Sequence, residues 1–399
     1  MYYAPTWILS INAGSSSVKF GIFNIAEINI NQIYAGEITN LKSSDGKFKV
    51  RHTLNYESEE KSIHLPSMAD GAQAIIDFID DKQIPITIIG HRLVHGTDIN
   101  NPRYITATLL DELRMHSSYN PEHLPNEIEL IETFGNHFPG IPQFACFDSS
   151  FHNEMPLVAK WIPIPRRYFN QGVRRYGFHG LSCNYLLHEL RRLTNRNVAN
   201  GKIIIAHLGS GSSLTALREG KSIDTSMSFT PNAGVCMGTR SGDIDPGVAF
   251  YFMRNEKFSP QKFTYVLNHE SGLLGISEIS SDMQTLLHLE KSDTRAAEAI
   301  DLFCYSIRKI IGSYIAVLGG LDQLIFSGGI GVNSSQIRLR ICENLQFLGI
   351  KLNAKRNNKN SAIISEEGEK VEVRVINTNE ELMMARLIVQ HESIKAELR

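Results

Sequence analysis

The sequence predicts an α/β protein made of two similar halves, and a repeated pattern is the reason. An apolar strand at residues 8–11 runs into a Gly/Ser loop at 12–17, and a second strand follows at 18–23. The same order returns at residues 202–206, which lead into the loop at 207–213 and another strand-like stretch. The two loops lie close to half of the 399-residue chain apart, as an internal duplication would place them.

The remaining elements follow from apolar spacing. Helical periodicity predicts helices over residues 70–80, 109–116, 126–134, 295–318 and 380–396, and short apolar runs predict strands at 86–89, 144–147 and 323–326. The last strand precedes a third Gly-rich loop at 327–333. The text after that loop predicts a helix with Ser334 or Ser335 near its start.

Composition narrows the class of protein. Hydrophobic residues make up 42% and charged residues 21%, and the formal net charge is -2, so nothing suggests non-specific binding to nucleic acid or to an anionic membrane. No apolar run is long enough to span a bilayer, and the first residues lack a secretory pattern. The 5 cysteines include no CxxC pair, so we expect reduced thiols in a cytoplasmic protein.

The Gly/Ser loops offer closely spaced N–H and O–H donors with little bulk, which suits a phosphate. The Walker pattern of P-loop enzymes is absent. One such loop is equally consistent with a hairpin turn. Three of them in one chain, two in matching contexts, favour a nucleotide held between two related domains.

Longer motifs add a family resemblance. "INAGSSSVKF", "GHRLVHG", "CFDSSFH", "RRYGFHG", "HLGSGSS", "DTSMSFTP", "MGTRSGDIDP" and "TNEELMMAR" occur from end to end. In this order and at this spacing they make the sequence resemble the acetate kinase family of the actin superfamily. The resemblance implies two duplicated actin-like (ribonuclease H-like) domains with an interdomain nucleotide cleft, at residues 1–150 and 151–380. It also implies that a C-terminal helix at 381–399 packs back on the first domain, and that the protein is a homodimer.

The activity that the resemblance implies is reversible, in-line transfer of the ATP γ-phosphoryl group to acetate, with ATP or ADP and with Mg²⁺ (Mn²⁺ as the alternative cation). No covalent enzyme intermediate is implied. A propionate kinase and, less favoured, an ATPase switch on the same fold are the alternatives. A degenerate nucleotide-binding regulator is a third.

The same motifs imply catalytic residues. Arg92 and Arg240 match the substrate-clamping arginines, whose guanidinium groups suit carboxylate and phosphoryl oxygens. His179 matches a histidine that donates to the transferred phosphoryl group. Asp148 matches the active-site acid and is expected to orient an arginine or a metal-bound water. His123 aligns with a supporting histidine when "NPEHLP" is read without a gap.

The remaining implied site residues bind the nucleotide, the acyl group and the metal ion. Those that match nucleotide-binding positions are Ser15, Ser17, Lys19, His207, Leu208, Gly209, Ser210, Gly211, Asp282, Met283, Gln284, Gly328, Gly329, Ile330, Gly331 and Val332. Val94, Phe178 and Pro231 match the apolar acyl pocket, and Asn12 and Glu380 the metal-associated positions, with Glu381 as the alternative to Glu380.

Three positions depart from the family's usual residues. Val332 stands where Glu is common, Gln284 where Arg is usual, and Ser210 where Asn is usual. All three are expected on the nucleotide side, so they bear on purine preference and ATP affinity rather than on the reaction class.

Overall fold

The computed structural model describes residues 6–14, 17–26, 29–41, 43–115 and 123–391. The chain divides into two compact units: Met1–Ser150 together with Asn379–Arg399, and Phe151–Thr378. Among the described residues, no helix is long and apolar enough to cross a membrane.

Within the described part of the first unit, eight strands form one sheet in the order β5-β4-β3-β2-β1-β6-β8-β7. The strands are β1 (Thr6–Ala13), β2 (Val18–Ala26), β3 (Asn29–Thr39), β4 (Ser43–His52), β5 (Ser58–Leu65), β6 (Ile88–Leu93), β7 (Arg103–Tyr104) and β8 (Gln143–Phe147).

The described residues of the second unit contain a five-stranded sheet in the order β11-β10-β9-β12-β13. Its strands are β9 (Ile203–Leu208), β10 (Ser212–Arg218), β11 (Lys221–Thr225), β12 (Gln323–Ser327) and β13 (Glu372–Val375).

Helices flank both sheets. In the first unit they are α1 (Met68–Asp81), α2 (Ala107–Met115), α3 (Leu124–His137) and α16 (Glu380–Gln390). In the second unit they are α4 (Leu157–Lys160), α5 (Arg166–Asn170), α6 (Gly180–Leu193), α7 (Arg196–Ala199), α8 (Pro246–Asn255), α9 (Pro260–His269), α10 (Gly272–Ser277), α11 (Met283–Leu289), α12 (Thr294–Leu318), α13 (Gly328–Asn333), α14 (Ser335–Cys342) and α15 (Ala354–Asn358). In the described part of the chain, short 3₁₀ turns lie at Ser150–His152 and Gln346–Leu348.

Five strands of the first sheet repeat the topology of the second. In the first, β1, β2 and β3 form an antiparallel meander, and β6 and then β8 extend it in parallel from β1. In the second, β9, β10 and β11 form the meander, and β12 and then β13 extend it in parallel from β9. This repeated order confirms the predicted duplication and α/β class, and it is consistent with a pair of actin-like domains.

Local signals explain where several helices begin and end. Ser67 and Asp70 form a capping box at the start of α1, because each side chain accepts from the other's backbone N–H. Asp293 caps α12, and Gly319 ends it in the left-handed region with φ 68°. The Ser334 side chain accepts from the N–H of Ile337, so Ser334 caps α14 and Ser335 is its first residue.

The C-terminal helix α16 covers the first sheet. A Cβ placed on Gly90 in β6 would lie only 2.5 Å from Cδ1 of Ile388, so the helix and strand approach closely. Two predictions are corrected. Residues 328–333 form the helix α13 instead of a loop, and the helix predicted over 380–396 ends at Gln390, while residues 392–396 lie outside the described part of the chain.

Candidate active site

In the first unit, two neighbouring parallel strands bring Arg92 and Asp148 together. Arg92 lies in β6 and Asp148 directly follows β8. The arginine Nε and Nη2 donate to Oδ2 of Asp148 at 3.1 and 2.5 Å, and Nη1 donates to the carbonyl of Ala13 at 3.0 Å. Asp148 is fully buried. Burial opposes the charge on Arg92, but Asp148 and Glu380 raise its pKa above the usual range.

Asn12, near the end of β1, donates hydrogen bonds to two carboxyl groups. Its Nδ2 donates to Oε2 of Glu380 at 2.9 Å and to Oε1 of Glu381 at 2.8 Å. Oε2 of Glu380 also lies 3.9 Å from Nε of Arg92. Lys19 stands opposite Asn12 in β2, with an exposed side chain. Burial and the neighbouring Glu380 raise the pKa of Glu381.

At the first loop, the N–H of Gly14 donates to the carbonyl of Ser17 at 2.7 Å. Ser15 lies outside the described residues. His123 is the residue before α3 and is half-buried. Val94 is buried one residue beyond β6.

In the second unit, His179 takes the left-handed conformation at the start of α6, with φ 59°. Its Nδ1 lies 3.0 Å from Oγ of Ser213, and its ring packs on that of His207 with centroids 4.4 Å apart. The carbonyl of Phe178 accepts from Nε2 of the buried His152 at 3.0 Å. The backbone before His179 and its ring are therefore both held in place.

The side chains of His179 and Arg240 both lie close to Gly211. A Cβ placed on Gly211 would lie 3.4 Å from Nη1 of Arg240 and 3.5 Å from Nε2 of His179. Arg240 Nη1 also donates to the carbonyl of Pro231 at 3.3 Å. A cationic group and an imidazole nitrogen thus flank a glycine whose missing side chain leaves room beside them.

The same Gly-rich loop borders a cavity of about 770 Å³ in the second unit. Seven of the predicted nucleotide-binding residues line it: Gly209, Ser210, Asp282, Met283, Gln284, Gly329 and Ile330. The sequence motifs did not indicate the other lining residues as nucleotide contacts; these are Leu287, His288, Glu290, Lys291, Asn333, Ser334, Ser335 and Gln336. Helical spacing within α11 and the first residues of α14 could have indicated several of them.

Other predicted nucleotide residues support this cavity instead of lining it. His207, Leu208, Gly211, Gly328, Gly331 and Val332 are absent from its lining. Val332 packs against the core, and its carbonyl accepts from the fully buried Arg338 at 2.7 Å. Asp282 caps α11 by accepting from the N–H of Thr285 at 2.8 Å, and the Thr285 hydroxyl group also donates to it at 2.8 Å. The hydroxyl bond first, and then the N–H bond, lower the pKa of Asp282.

One buried acid near Arg92 was missed. Glu127 in α3 is 3% exposed, and its carboxyl oxygens lie 3.1 and 3.3 Å from the backbone nitrogen of Val94. Its neighbours Leu124, Ile128 and Ile131 are buried, so the apolar spacing of the helix places position 127 on the inner face. That spacing was the available signal.

Comparison with known proteins gives a consistent result. A model of the acetokinase family matches residues 7–386. Acetate kinase from Rickettsia akari is 40% identical over 391 residues, covering 96% of this chain and 98% of its own.

Two solved structures share the whole fold. A propionate kinase from Francisella tularensis superposes with a TM-score of 0.88 at 35% identity, covering 96% of this chain and 98% of that one. Acetate kinase from Porphyromonas gingivalis superposes with a TM-score of 0.84 at 31% identity, covering 98% and 100%. Because the family model and these relatives match nearly the whole chain, the chain belongs to the acetokinase family.

Proposed function

We propose that this protein transfers the γ-phosphoryl group of ATP to acetate, giving acetyl phosphate and ADP, and that the reaction is reversible. One acetate oxygen forms the new O–P bond while the bond from the γ-phosphorus to the bridging oxygen of ADP breaks. The observation that carries this proposal is the convergence of Arg240 Nη1 and His179 Nε2 beside Gly211, in the loop that borders the large cavity.

The charge distribution of the reaction explains the need for these groups. The transferred phosphoryl group spreads negative charge over its equatorial oxygens, so catalysis depends on positioning and on nearby positive charge. Arg240 supplies charge, and the Nε2–H of His179 supplies a hydrogen bond. A general base is unnecessary, because the acceptor carboxylate is already ionised near neutral pH.

We assign the binding of the substrate carboxylate to Arg92. A guanidinium group can bind a carboxylate through two parallel N–H groups. Asp148 engages Nε and Nη2 of Arg92, which fixes the plane of the guanidinium group. Val94, Phe178 and Pro231 remain the proposed apolar contacts of the acyl group.

The nucleotide is assigned to the cavity bordered by Gly209 and Gly329. Gly209 and Gly211 carry no side chains, which favours close approach of phosphates to the backbone of the 209–211 turn, where the N–H of Gly209 donates to the carbonyl of Gly211 at 3.1 Å. Lys19, Ser15 and Ser17 stay proposed phosphate contacts of the first unit.

A Mg²⁺ ion fits the residues at the end of β1. Asn12 and Glu380 offer an amide oxygen and a carboxylate, and Mg²⁺ prefers one or two such ligands together with waters and phosphate oxygens. Asn12 uses its nitrogen to hold Glu380 and Glu381, which leaves its carbonyl oxygen for a cation. When bound with ATP, the ion would neutralise charge on the phosphates. Within the described residues, no cluster of three or more His, Cys, Asp or Glu could hold a metal by itself.

Propionate is the second candidate acid, because one structure with a TM-score of 0.88 is a propionate kinase. An apolar pocket discriminates a single methylene by only about 1–3 kcal/mol, so acetate and propionate are both plausible substrates. We also propose a cytoplasmic homodimer, on the family resemblance. A particle of twice the 44.7 kDa chain mass in sedimentation supports the dimer, and a particle of single mass contradicts it.

Hydroxylamine trapping tests the proposed activity. Purified protein with MgATP and acetate, propionate or butyrate should give an acyl hydroxamate, and the yields should rank the acids. Arg240→Ala and Arg92→Ala should each lose about 100-fold or more in kcat/KM, as expected when a group that stabilises transition-state charge is removed.

The matched controls are Arg254→Ala and Arg51→Ala, one exposed arginine in each unit, and both should keep activity. ATP binding without hydroxamate from any acid would sink the carboxylate kinase assignment. It would favour an ATPase switch if ATP were hydrolysed, and a degenerate regulator if it were not.

A further inference from the structure

Glu127 is a buried carboxyl group that the proposed reaction does not use. It is 3% exposed, and its two oxygens share the single N–H of Val94. Among the described residues, that amide is its one hydrogen-bond donor. Burying a carboxyl group lowers the stability of the fold unless the group is well hydrogen-bonded, so a carboxyl group with one donor at this position requires a specific role.

Glu127 completes the restraint of three successive residues at the end of β6. The Arg92 side chain is bound by the Asp148 carboxylate, and the Leu93 carbonyl accepts from the Asp148 N–H at 2.9 Å. The Val94 N–H donates to Glu127. Asp148 and Glu127 therefore fix residues 92–94. This segment carries Arg92, which is proposed to bind the substrate carboxylate, and Val94, which is proposed to line the acyl pocket.

The charge state of Glu127 matters for Arg92. Burial raises the pKa of Glu127 to about 8, against the opposing effect of Arg92, and Asp148 adds to the rise. Glu127 is then mostly uncharged at neutral pH, and it does not compete with a bound carboxylate for the charge of Arg92. The other charged or titratable groups on α3 and on the elements around it are Asp70, Asp77, Asp80, Asp81, His91, His95, Asp111, Glu112, Arg114, His123, Glu129, Glu132, His137 and Glu380.

We propose that Glu127 is a positioning residue for the acid substrate, which holds Val94 in place and, while uncharged, leaves the charge of Arg92 to the substrate carboxylate. This proposal rests on the proposed function. It predicts that Glu127 governs the affinity for the acid and the choice among acids, and leaves ATP binding alone.

Steady-state kinetics with acetate, propionate and butyrate at saturating MgATP test the first part. Glu127→Ala leaves the Val94 N–H without an acceptor, so KM for acetate should rise about tenfold while KM for ATP stays the same. Glu127→Gln keeps an uncharged acceptor of the same shape, so KM at pH 7 should stay within about threefold of the original. Glu129→Gln, a half-exposed glutamate on the same helix, is the control.

The pH profile tests the role of charge. In the unmodified protein, kcat/KM for acetate should fall as pH rises through about 8, because ionised Glu127 adds a negative charge beside Arg92. Glu127→Gln should remove that fall, and Glu129→Gln should keep it. A fall that persists in Glu127→Gln would overturn the proposal, as would equal rises in KM for acid and ATP in Glu127→Ala.

Infrared difference spectra give a readout that needs no turnover. The spectrum of the unmodified protein minus that of Glu127→Gln should contain the band of a protonated carboxyl group at pH 7, which disappears as pH rises through about 8. Absence of the band at pH 7 overturns the proposal even in an active enzyme. If no acid yields acyl phosphate, the proposed function fails by itself, and the band still reports on Glu127.

Discussion

Oγ of Ser213 lies 3.0 Å from Nδ1 of His179, and this contact leaves Nε2 of His179 beside Gly211. A hydroxyl group that donates to Nδ1 requires the tautomer with its proton on Nε2. That is the tautomer that can donate to a transferred phosphoryl group. Ser213 therefore orients the proposed donor from the strand that follows the Gly-rich loop.

The first prediction concerns this contact. Ser213→Ala should lower kcat about tenfold with little change in either KM, because the donor is lost mainly from the transition state. Ser213→Thr keeps the hydroxyl group and should retain most of the activity. Histidine ¹⁵N spectra check the cause, since the share of the Nε2–H tautomer of His179 should fall in the alanine variant alone. Unchanged spectra and rates in Ser213→Ala would show that the contact has no such role.

The second prediction concerns the buried pair of Arg92 and Asp148. Asp148→Asn keeps the shape but removes the charge that compensates Arg92, so the free energy of unfolding should fall by about 3–5 kcal/mol. Denaturant titration measures it. Glu59→Gln, which breaks an ion pair with Lys82 between side chains 43% and 38% exposed, is the comparison and should change stability little. Equal effects of the two substitutions would contradict the account of the buried pair.

The third prediction concerns pH and stability. Burial lowers the pKa of His91 from 6.5 to about 4, although its contact with Gln143 opposes the shift. The folded state keeps His91 neutral where the unfolded state binds a proton, so stability falls as pH drops from about 6.5 to about 4. The loss from this group is about 3 kcal/mol.

Denaturant titrations across that pH range, on the unmodified protein and on His91→Gln, measure the difference. The variant is expected to show a shallower dependence on pH, whatever its overall stability. Parallel curves for the two proteins would mean that His91 does not titrate differently in the folded and unfolded states.

The fourth prediction compares two adjacent glycines at the start of α13. Gly328 has φ +74°, and a Cβ there would lie 2.5 Å from the carbonyl oxygen of Leu208, whereas a Cβ on Gly329 would meet nothing within 4 Å. Gly328→Ala should lower the free energy of unfolding by about 1–3 kcal/mol and raise KM for ATP, because α13 borders the cavity. Thermal melts should show Gly329→Ala within about 0.5 kcal/mol of the original. A Gly328→Ala variant as stable as Gly329→Ala would be inconsistent with this geometry.

Features repeated along the chain were predictable from the sequence. The strand–loop–strand pattern around residues 8–23 and 202–218 predicted an internal duplication, and the matching strand order of the two sheets confirms it. Apolar spacing predicted α1, α3 and α12, because their buried faces follow the helical period. The strand at 144–147 also placed Asp148 at a strand end.

Contacts between distant residues were not predictable. Glu127 reaches Val94 across 33 residues, and Ser213 reaches His179 across 34, so no local pattern records either contact. The Gly-rich segment at 327–333 follows a strand as the two earlier Gly/Ser loops do, so the sequence predicts a loop there. The structure gives it a short helix held at its end by Arg338, whose Nη1 donates to the carbonyls of Gly331 and Val332.

The most direct test of the central claim is ³¹P NMR of the protein mixed with MgATP and acetate. In a carboxylate kinase the γ-phosphate signal of ATP should decrease as equal amounts of acetyl phosphate and ADP appear, and Arg240→Ala should abolish the change while Arg254→Ala preserves it. Release of inorganic phosphate without acetyl phosphate, or no change in ATP at all, would contradict that claim.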